Sequence, residues 1–179
     1  MSGHNKWSKI KHKKGATDQQ RSKLFSKHSR LITMEVKKSG GHKDSANVLS
    51  AVDRAKKDSM PKDAIERALA KGAGDGANAM EEVLYEGYGP GGVPLLIEAV
   101  TDNNNRTAPE IRFIFSKAGL ELGAPGSAAW AFTKNGDTYT PNTPVDLDDA
   151  AGEKLADFVE KLEEQDDVTN VFTGADTAE

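Results

Sequence analysis

The first part of the chain has hydrophobic residues that recur with the period of an α-helix, about 3.6 residues. Three such stretches are separated by short polar connections, which favours a small helical bundle. The helix starts are expected at Thr17-Asp18, Asp44-Ser45 and Pro61, and the helix ends at Gly40-Gly41 and Gly72. The residues expected in the core of this bundle are Leu24, Phe25, Leu31, Ile32, Val36, Val48, Leu49, Val52, Ile65 and Leu69.

Beyond residue 80 short apolar runs replace the helical period. Residues 83–88 and 93–100 read as two strands that are joined by the turn-forming run 89–92, and residues 128–133 and 168–172 read as two more strands. Two helices are expected between these strands. The order β-β-α-β-α-β predicts an α+β protein, in which a small α/β domain with a four-stranded, mostly antiparallel sheet and two helices follows the three-helix bundle.

Both helices of this second part have capping signals. The first is expected to begin at the capping box formed by Thr107 and Glu110 and to end at Gly119, and the second is expected to be capped by Asp146 or Asp148. The residues expected to face the core are Ile111, Ile114, Phe115, Leu155, Phe158, Val159 and Leu162.

The two parts carry opposite charge. Residues 1–74 contain 18 Lys and Arg against 7 Asp and Glu, a net charge of +11, whereas residues 75–179 contain 6 against 21, a net charge of −15. The sign changes at a glycine-rich run that is typical of a linker. The predicted organisation is a basic flexible arm at 1–15, a three-helix bundle at 16–72, a linker at 73–80 and an acidic α+β domain at 81–179.

The basic arm is the strongest candidate for contact with a nucleic acid. Lysines neutralise phosphates and release counterions, and an indole or imidazole ring can stack on an unpaired base. The alternative is a solvated tail with Trp7 packed on the bundle. The candidate residues of the arm are His4, Lys6, Trp7, Lys9, Lys11, His12, Lys13 and Lys14.

The first helix extends this positive field. Lys23, Lys27 and Arg30 are spaced so that they share one face, and Arg21 lies close to them in sequence. A charged solvent face is also ordinary for an amphipathic helix, so both interpretations of these four residues remain open.

Two loops of the second part are weaker candidates for binding contacts. The run 85–92 has several glycines, but it precedes a strand instead of a helix and lacks the Lys-Ser/Thr of a phosphate-binding loop. The polar run 101–107 lies before a helix N-terminus, where anions are favoured, although turn and cap chemistry explains its composition equally well. The candidate residues of these loops are Tyr85, Tyr88, Asp102, Asn103 and Arg106.

Composition argues against several other classes of protein. The chain has no cysteine, and its four histidines lack the spacing of metal ligands, so no metal or cofactor is expected. The sequence shows neither a pair of acids nor a nucleophile with a base, which are the sets of residues that would indicate an enzyme. The N-terminus lacks the apolar run of a signal peptide, and no stretch is long enough to span a bilayer, which predicts an intracellular, cytoplasmic protein with no membrane partner.

Several separated motifs occur in one order along nearly the full chain. They are Gly3-His4-Asn5-Lys6-Trp7, Ile10-Lys11-His12, Met60-Pro61 with Ile65-Glu66-Arg67-Ala68, Tyr85 to Gly92, and Thr101-Asp102-Asn103 with Asn105-Arg106-Thr107. Together they resemble the YebC/PmpR family, which includes a mitochondrial translational activator of cytochrome oxidase. The resemblance implies a non-enzymatic protein, because family members have been described as DNA-binding transcriptional regulators and as ribosome-associated factors that help translation through proline-rich stretches.

One interval departs from the family pattern. Family members usually carry a further α/β domain between the strand that ends near Thr133 and the acidic closing helix. Here only Lys134 to Val145 fill this interval, and they include the turn-forming pair Asn135-Gly136. Because this segment is too short for a domain, the resemblance implies a two-domain short form.

These observations predict a regulator of gene expression that binds a nucleic acid, either DNA or ribosomal or messenger RNA. Basic residues of the arm and the first helix are expected to contact phosphates, and the acidic domain is expected to contact proteins. The family description favours DNA, whereas the stacking residues suit RNA slightly better. The alternatives are a ribosome-associated translation factor, a protein–protein adaptor and, least favoured, an enzyme with a phosphate site.

Overall fold

The computed structural model describes residues 18–74 and 80–176, and these residues form two compact units. The helical unit contains the described residues up to Val83 together with Val100–Asn104, and the sheet unit contains Leu84–Ala99 and the described residues from Asn105 onward. The predicted arm and most of the predicted linker lie outside the described residues, so the expected domain boundaries stay predictions.

The helical unit contains α1 (Asp18–Lys38), α2 (Ala46–Lys57) and α3 (Lys62–Ala73). Gly40 and Gly41 follow α1 with φ values of 69° and 89°, a backbone conformation that favours glycine and ends the helix as predicted. Ser45 and Pro61 are the residues that precede the first turns of α2 and α3. The described starts and ends of the three helices therefore agree closely with their sequence signals.

The core of the helical unit contains most of the predicted residues. Ile32, Val36 and Val48 are fully buried, and Phe25 packs against them from a partly buried position. The predictions for Leu24 and Leu49 were wrong, because their side chains are 37% and 51% exposed. Both residues lie at the edge of an apolar face, where the helical period alone does not separate a core position from a boundary position.

Gly72 has a different role from the one its position suggested. It lies inside α3 and is buried, and a Cβ atom there would lie 2.6 Å from the Cβ of Val36 and 2.7 Å from the carbonyl oxygen of Thr33. The absence of a side chain therefore allows α1 and α3 to approach closely, and α3 ends one residue later, at Ala73.

The remaining elements are strands and two further helices. In chain order they are β1 (Glu81–Tyr88), β2 (Pro94–Thr101), α4 (Asn104–Lys117), β3 (Leu122–Gly123), β4 (Phe132–Asn135), β5 (Thr138–Pro141), α5 (Asp149–Glu164) and β6 (Val168–Thr173). Among the described residues, four strands form an antiparallel sheet in the order β3-β1-β2-β6, which confirms the predicted fold class.

One predicted strand of this sheet was placed wrongly. Residues 128–133 do not join the four-stranded sheet: Ala129–Ala131 form a 3₁₀ turn, and β4 pairs with β5 in a separate two-stranded hairpin. The fourth strand of the main sheet is instead β3. It has only two residues, which are too few to show the alternation of apolar and polar positions that identifies a strand in a sequence. The turn expected at Asn135-Gly136 is confirmed, since Gly136 connects β4 and β5 with a φ of 61°.

The two helices of the second part bury the expected faces. Ile111 and Phe115 of α4 are buried, and Phe115 makes an edge-to-face contact with Phe158 of α5 at a centroid distance of 5.0 Å. Asp148 caps α5, because its carboxylate accepts a hydrogen bond of 2.8 Å from the backbone N–H of Ala151. These two helices are therefore placed by the predicted apolar positions.

The expected capping box of α4 was wrong. The helix begins at Asn104, one turn before the predicted start, so Thr107 lies inside it. The buried hydroxyl of Thr107 donates a hydrogen bond of 2.6 Å to the carboxylate of Asp167 and does not cap the helix. A partner 60 residues away overrides the local capping signal.

Candidate nucleic-acid interface

The basic residues of α1 are only partly available to a ligand. Arg21 is exposed, whereas Lys23, Lys27 and Arg30 are half-buried. The guanidinium of Arg30 donates a hydrogen bond of 3.4 Å to the carbonyl oxygen of Val100, so this residue also binds the end of β2 within the helical unit. The eight candidate residues of the predicted arm lie outside the described residues.

The C-terminal end of α1 uses its lysines for internal contacts. Lys37 Nζ donates a hydrogen bond of 2.8 Å to the carbonyl oxygen of Met80, and Lys38 Nζ lies 2.6 Å from Glu82 and 3.3 Å from Glu35. Burial lowers the pKa of Lys38, but the two carboxylates outweigh that effect and raise the pKa above its ordinary value. Lys38 therefore stays charged and pairs with the start of β1.

Ion pairs also neutralise most of the charge of α3. Arg67 lies 2.8 Å from Asp63, and Lys62 lies 3.8 Å from Glu66, each pair one helical turn apart and exposed. Other cations of the helical unit are exposed and have no ion-pair partner among the described residues. They are Arg21, Lys43, Lys57 and Lys71.

His28 is a structural residue that the sequence did not reveal. It is buried, and its Nε2 atom lies 2.6 Å from Oδ2 of Asp58, the residue at the C-terminal end of α2. The contact joins two helices of the bundle across 30 residues of sequence. The imidazole of His28 therefore has a partner within the protein and is not an exposed group that a nucleic acid could contact.

The loop candidates of the sheet unit are mostly held by internal hydrogen bonds. Tyr85 is buried, and the half-buried Tyr88 donates its hydroxyl to the carbonyl oxygen of Ser127 at 2.8 Å. Arg106 lies 3.0 Å from the buried carboxylate of Asp167. These three side chains thus have structural partners.

The two loop candidates of the helical unit lie just after β2. Asp102 and Asn103 are exposed, and the backbone N–H of Asn103 donates a hydrogen bond of 2.9 Å to the hydroxyl of Thr101. The hydroxyl of the buried Thr101 thus stabilises the turn, and the polar side chains of Asp102 and Asn103 are exposed to solvent.

Glu86 is the main residue of the sheet unit whose structural role the sequence did not indicate. Its buried carboxylate accepts hydrogen bonds from the backbone N–H groups of Gly126 at 2.8 Å, Ala128 at 2.9 Å and Ala129 at 2.7 Å. Burial raises the pKa of Glu86, but the three donors outweigh it and hold the pKa below its ordinary value. The glutamate therefore fixes the loop 126–129 as a carboxylate.

This fixed loop presents an exposed aromatic ring. Trp130 is 70% exposed, and its indole Nε1 donates a hydrogen bond of 2.9 Å to the carbonyl oxygen of Ser127. Phe113 on α4 is also exposed, at 61%. The sequence indicated Phe113 only weakly, by its absence from the apolar face that Ile111, Ile114 and Phe115 define.

Two kinds of site are absent from the part of the chain that the structure describes. In residues 18–74 and 80–176 no three His, Asp or Glu side chains come together as a set of metal ligands. No helix in the same ranges combines the length and the apolar character needed to cross a membrane.

The fold and the charge pattern define a helical bundle joined to a small antiparallel α+β unit, and this architecture occurs in a solved structure. A conserved hypothetical protein, Aq1575 from Aquifex aeolicus, is similar over 98% of both chains, with a TM-score of 0.82 and 30% sequence identity. Residues 5–75 match the family model of the TACO1/YebC protein N-terminal domain, and residues 80–138 match that of the TACO1/YebC second and third domain. The chain belongs to the TACO1/YebC family, which confirms the resemblance seen in its motifs.

The curated relatives carry a common functional name. A protein of Trichlorobacter lovleyi is 46% identical over 97% of this chain and 70% of its own length, and one of Desulforapulum autotrophicum is 54% identical over 76% and 56%. A protein of Desulfatibacillum aliphaticivorans is 48% identical over 98% of this chain and 72% of its own length. Each is named a probable transcriptional regulatory protein, and each is longer than the stretch that this chain spans.

Proposed function

We propose that this protein is a non-enzymatic regulator of gene expression that binds DNA through the basic first part of its chain. The observation that carries the proposal is the segregation of charge, +11 in residues 1–74 against −15 in residues 75–179. A polyanion is attracted to the first part and repelled by most of the second. The regulatory names of the relatives support the same conclusion.

The described residues support a binding surface beyond the arm. Residues 18–74 alone hold 13 Lys and Arg against 7 Asp and Glu, a net charge of +6. α1 has a net charge of +4 and α2 a net charge of +2, whereas the ion pairs of α3 leave only Lys71 unbalanced. Arg21, the exposed cation of α1 that has no ion-pair partner among the described residues, is our leading phosphate contact on this helix.

The arm would add stacking to this electrostatic surface. Trp7 and His12 carry rings that suit unpaired bases, and five lysines of the arm surround them in sequence. A regulator that combines both features gains affinity from phosphates and a preference for distorted or opened sites from stacking. Sequence-specific recognition would then depend on how easily the DNA deforms as much as on direct contacts from the protein.

A binding assay with the full chain tests the proposal. Fluorescence anisotropy with a labelled DNA duplex, repeated over a range of salt concentrations, should show affinity that falls steeply with salt. The variant Arg21→Ala should bind more weakly, and its salt slope should decrease by about 0.9 for the phosphate that is no longer neutralised. The matched control is Arg67→Ala, which removes an exposed arginine that is already paired with Asp63 on α3.

The outcomes separate the proposal from its alternatives. Binding that does not respond to salt, or equal losses in the α1 variant and the α3 control, would contradict a phosphate surface on α1. Strong binding to ribosomal RNA with none to duplex DNA would favour the ribosome-associated alternative. A protein partner that survives nuclease treatment, in the absence of any nucleic-acid affinity, would favour the adaptor.

A further inference from the structure

The helix α4 carries positive charge within an otherwise acidic part of the chain. Residues 75–179 contain six Lys and Arg, and three of these (Arg106, Arg112 and Lys117) lie on α4, against the single acid Glu110. By contrast, α5 holds six acids against two lysines. The net charge of the second part therefore hides a local basic surface.

The exposed positions of α4 form one continuous face. At about 100° per residue they span an arc of about 160°, opposite the buried residues Thr107, Ile111 and Phe115. Phe113 lies on this arc between Arg112 and Lys117. Its ring is 61% exposed, and the Lys117 ammonium lies 5.6 Å from the ring centroid.

Arg106 is neutralised by the fold, whereas the two cations beside Phe113 have no ion pair among the described residues. Arg106 lies 3.0 Å from Asp167, and the Glu110 carboxylate at the edge of the face accepts a hydrogen bond of 2.7 Å from Gln165. Among the described residues, Arg112 and Lys117 have no ion-pair partner. An exposed ring between two unneutralised cations can offer stacking and phosphate contacts together.

We propose that Arg112, Phe113 and Lys117 form a second contact site, specific for single-stranded nucleic acid. An unpaired base stacks on the face of the Phe113 ring that Lys117 does not cover, and the two cations, separated by about 7.5 Å along the helix axis, contact phosphates on either side of it. The inference rests on the proposed function, since it extends nucleic-acid binding from the basic part to the acidic part. A duplex offers no unpaired base to the Phe113 ring, so only the phosphate contacts of the two cations remain open to it.

The experiment uses the full chain with labelled oligothymidine and oligouridine as probes. Phe113→Ala should weaken binding about 5- to 150-fold, the range that loss of one stacked base produces. Arg112→Ala/Lys117→Ala should lower the salt slope by about 0.7 for each phosphate that the variant no longer neutralises. The matched control is Lys154→Ala/Lys161→Ala, which removes two exposed lysines from the acidic α5 and should leave binding unchanged.

A second substitution separates stacking from simple apolar contact. Phe113→Leu keeps an apolar side chain but removes the ring, so it should lose most of the affinity that Phe113→Ala loses. If Phe113→Leu binds like the wild type while Phe113→Ala does not, the site is an apolar docking surface, and the stacking proposal is overturned. Since all these side chains are exposed, thermal unfolding should show that every variant is folded.

The result also distinguishes this inference from the proposed function. Wild-type affinity for single strands in all α4 variants would overturn the α4 site and leave duplex binding by α1 standing. Loss of single-strand binding in the α4 variants, with duplex binding retained, would establish the second site. No affinity of the wild type for any nucleic acid would overturn both proposals.

Discussion

Replacing Glu86 tests how the sheet unit holds its exposed tryptophan. In Glu86→Ala the backbone N–H groups of Gly126, Ala128 and Ala129 lose their acceptor. Hydrogen bonds to a charged group contribute about 1.5–3 kcal/mol each, and they are less than additive when they share one carboxylate. We therefore expect the free energy of unfolding to decrease by about 3–5 kcal/mol, with a smaller loss in Glu86→Gln, which keeps one acceptor oxygen.

The same contact predicts a dependence on pH. The pKa of Glu86 is lower in the folded protein than its ordinary value of 4.5, so the folded state binds this proton less tightly than the unfolded state does. Its stabilisation is fully present above 4.5 and is lost as the pH falls below 4.5 towards the depressed folded pKa. Glu86→Gln cannot titrate and should lack this component of acid destabilisation.

Urea unfolding at several pH values measures both effects. The chain has two tryptophans, so a Trp7→Phe background leaves Trp130 as the reporter of the loop that Glu86 holds. Amide hydrogen exchange at Ala128 and Ala129 should increase in both Glu86 variants. The reasoning would be refuted if Glu86→Gln lost stability with falling pH as steeply as the wild type, or if Glu86→Ala left the unfolding midpoint unchanged.

Two further predictions concern the helical unit. Gly72→Ala places a Cβ atom 2.6 Å from that of Val36 and should destabilise the protein by about 1–3 kcal/mol in urea unfolding. The control Gly152→Ala lies in a helix where a Cβ atom would have nothing within 4 Å, so it should be neutral or stabilising by up to about 1 kcal/mol. Equal effects of the two substitutions would contradict close packing at Gly72. The contact between His28 and Asp58 should give a coupling energy of about 0.5–1.5 kcal/mol in a double-mutant cycle, and additive effects of the two alanine substitutions would show that the contact does not stabilise the fold.

The elements that sequence predicted well are those in which local signals and packing agree. In α5 the apolar period identifies Leu155, Phe158, Val159 and Leu162 as buried, and the structure confirms all four. The predictions that failed depend on partners far away in sequence. Thr107 has the spacing of a capping residue but bonds Asp167, and the two residues of β3 gain their strand character only by pairing with β1.

The sequence predicted where the positive charge of the candidate site lies, but it did not predict which side chains are available at the surface. The arm and α1 stand out by composition, whereas the engagement of Arg30 with Val100 requires the fold. The exposure of Trp130 is equally hidden, because an aromatic residue is first expected in the core, and Phe113 was indicated only by its absence from the predicted apolar face of α4. Nor does any local motif of Glu86 indicate three backbone donors about 40 residues away.

Neutralisation within elements decides which of the many charges can bind a polyanion. Lys62 and Arg67 raise the positive count of the first part, but Glu66 and Asp63 lie one turn away and cancel their field at short range. Arg112 and Lys117 lie in the part with a net charge of −15, yet no described carboxylate pairs with them. The segregation of charge therefore directs attention to the first part, while the pairing pattern is the reason that we propose α4 as an additional nucleic-acid-binding surface.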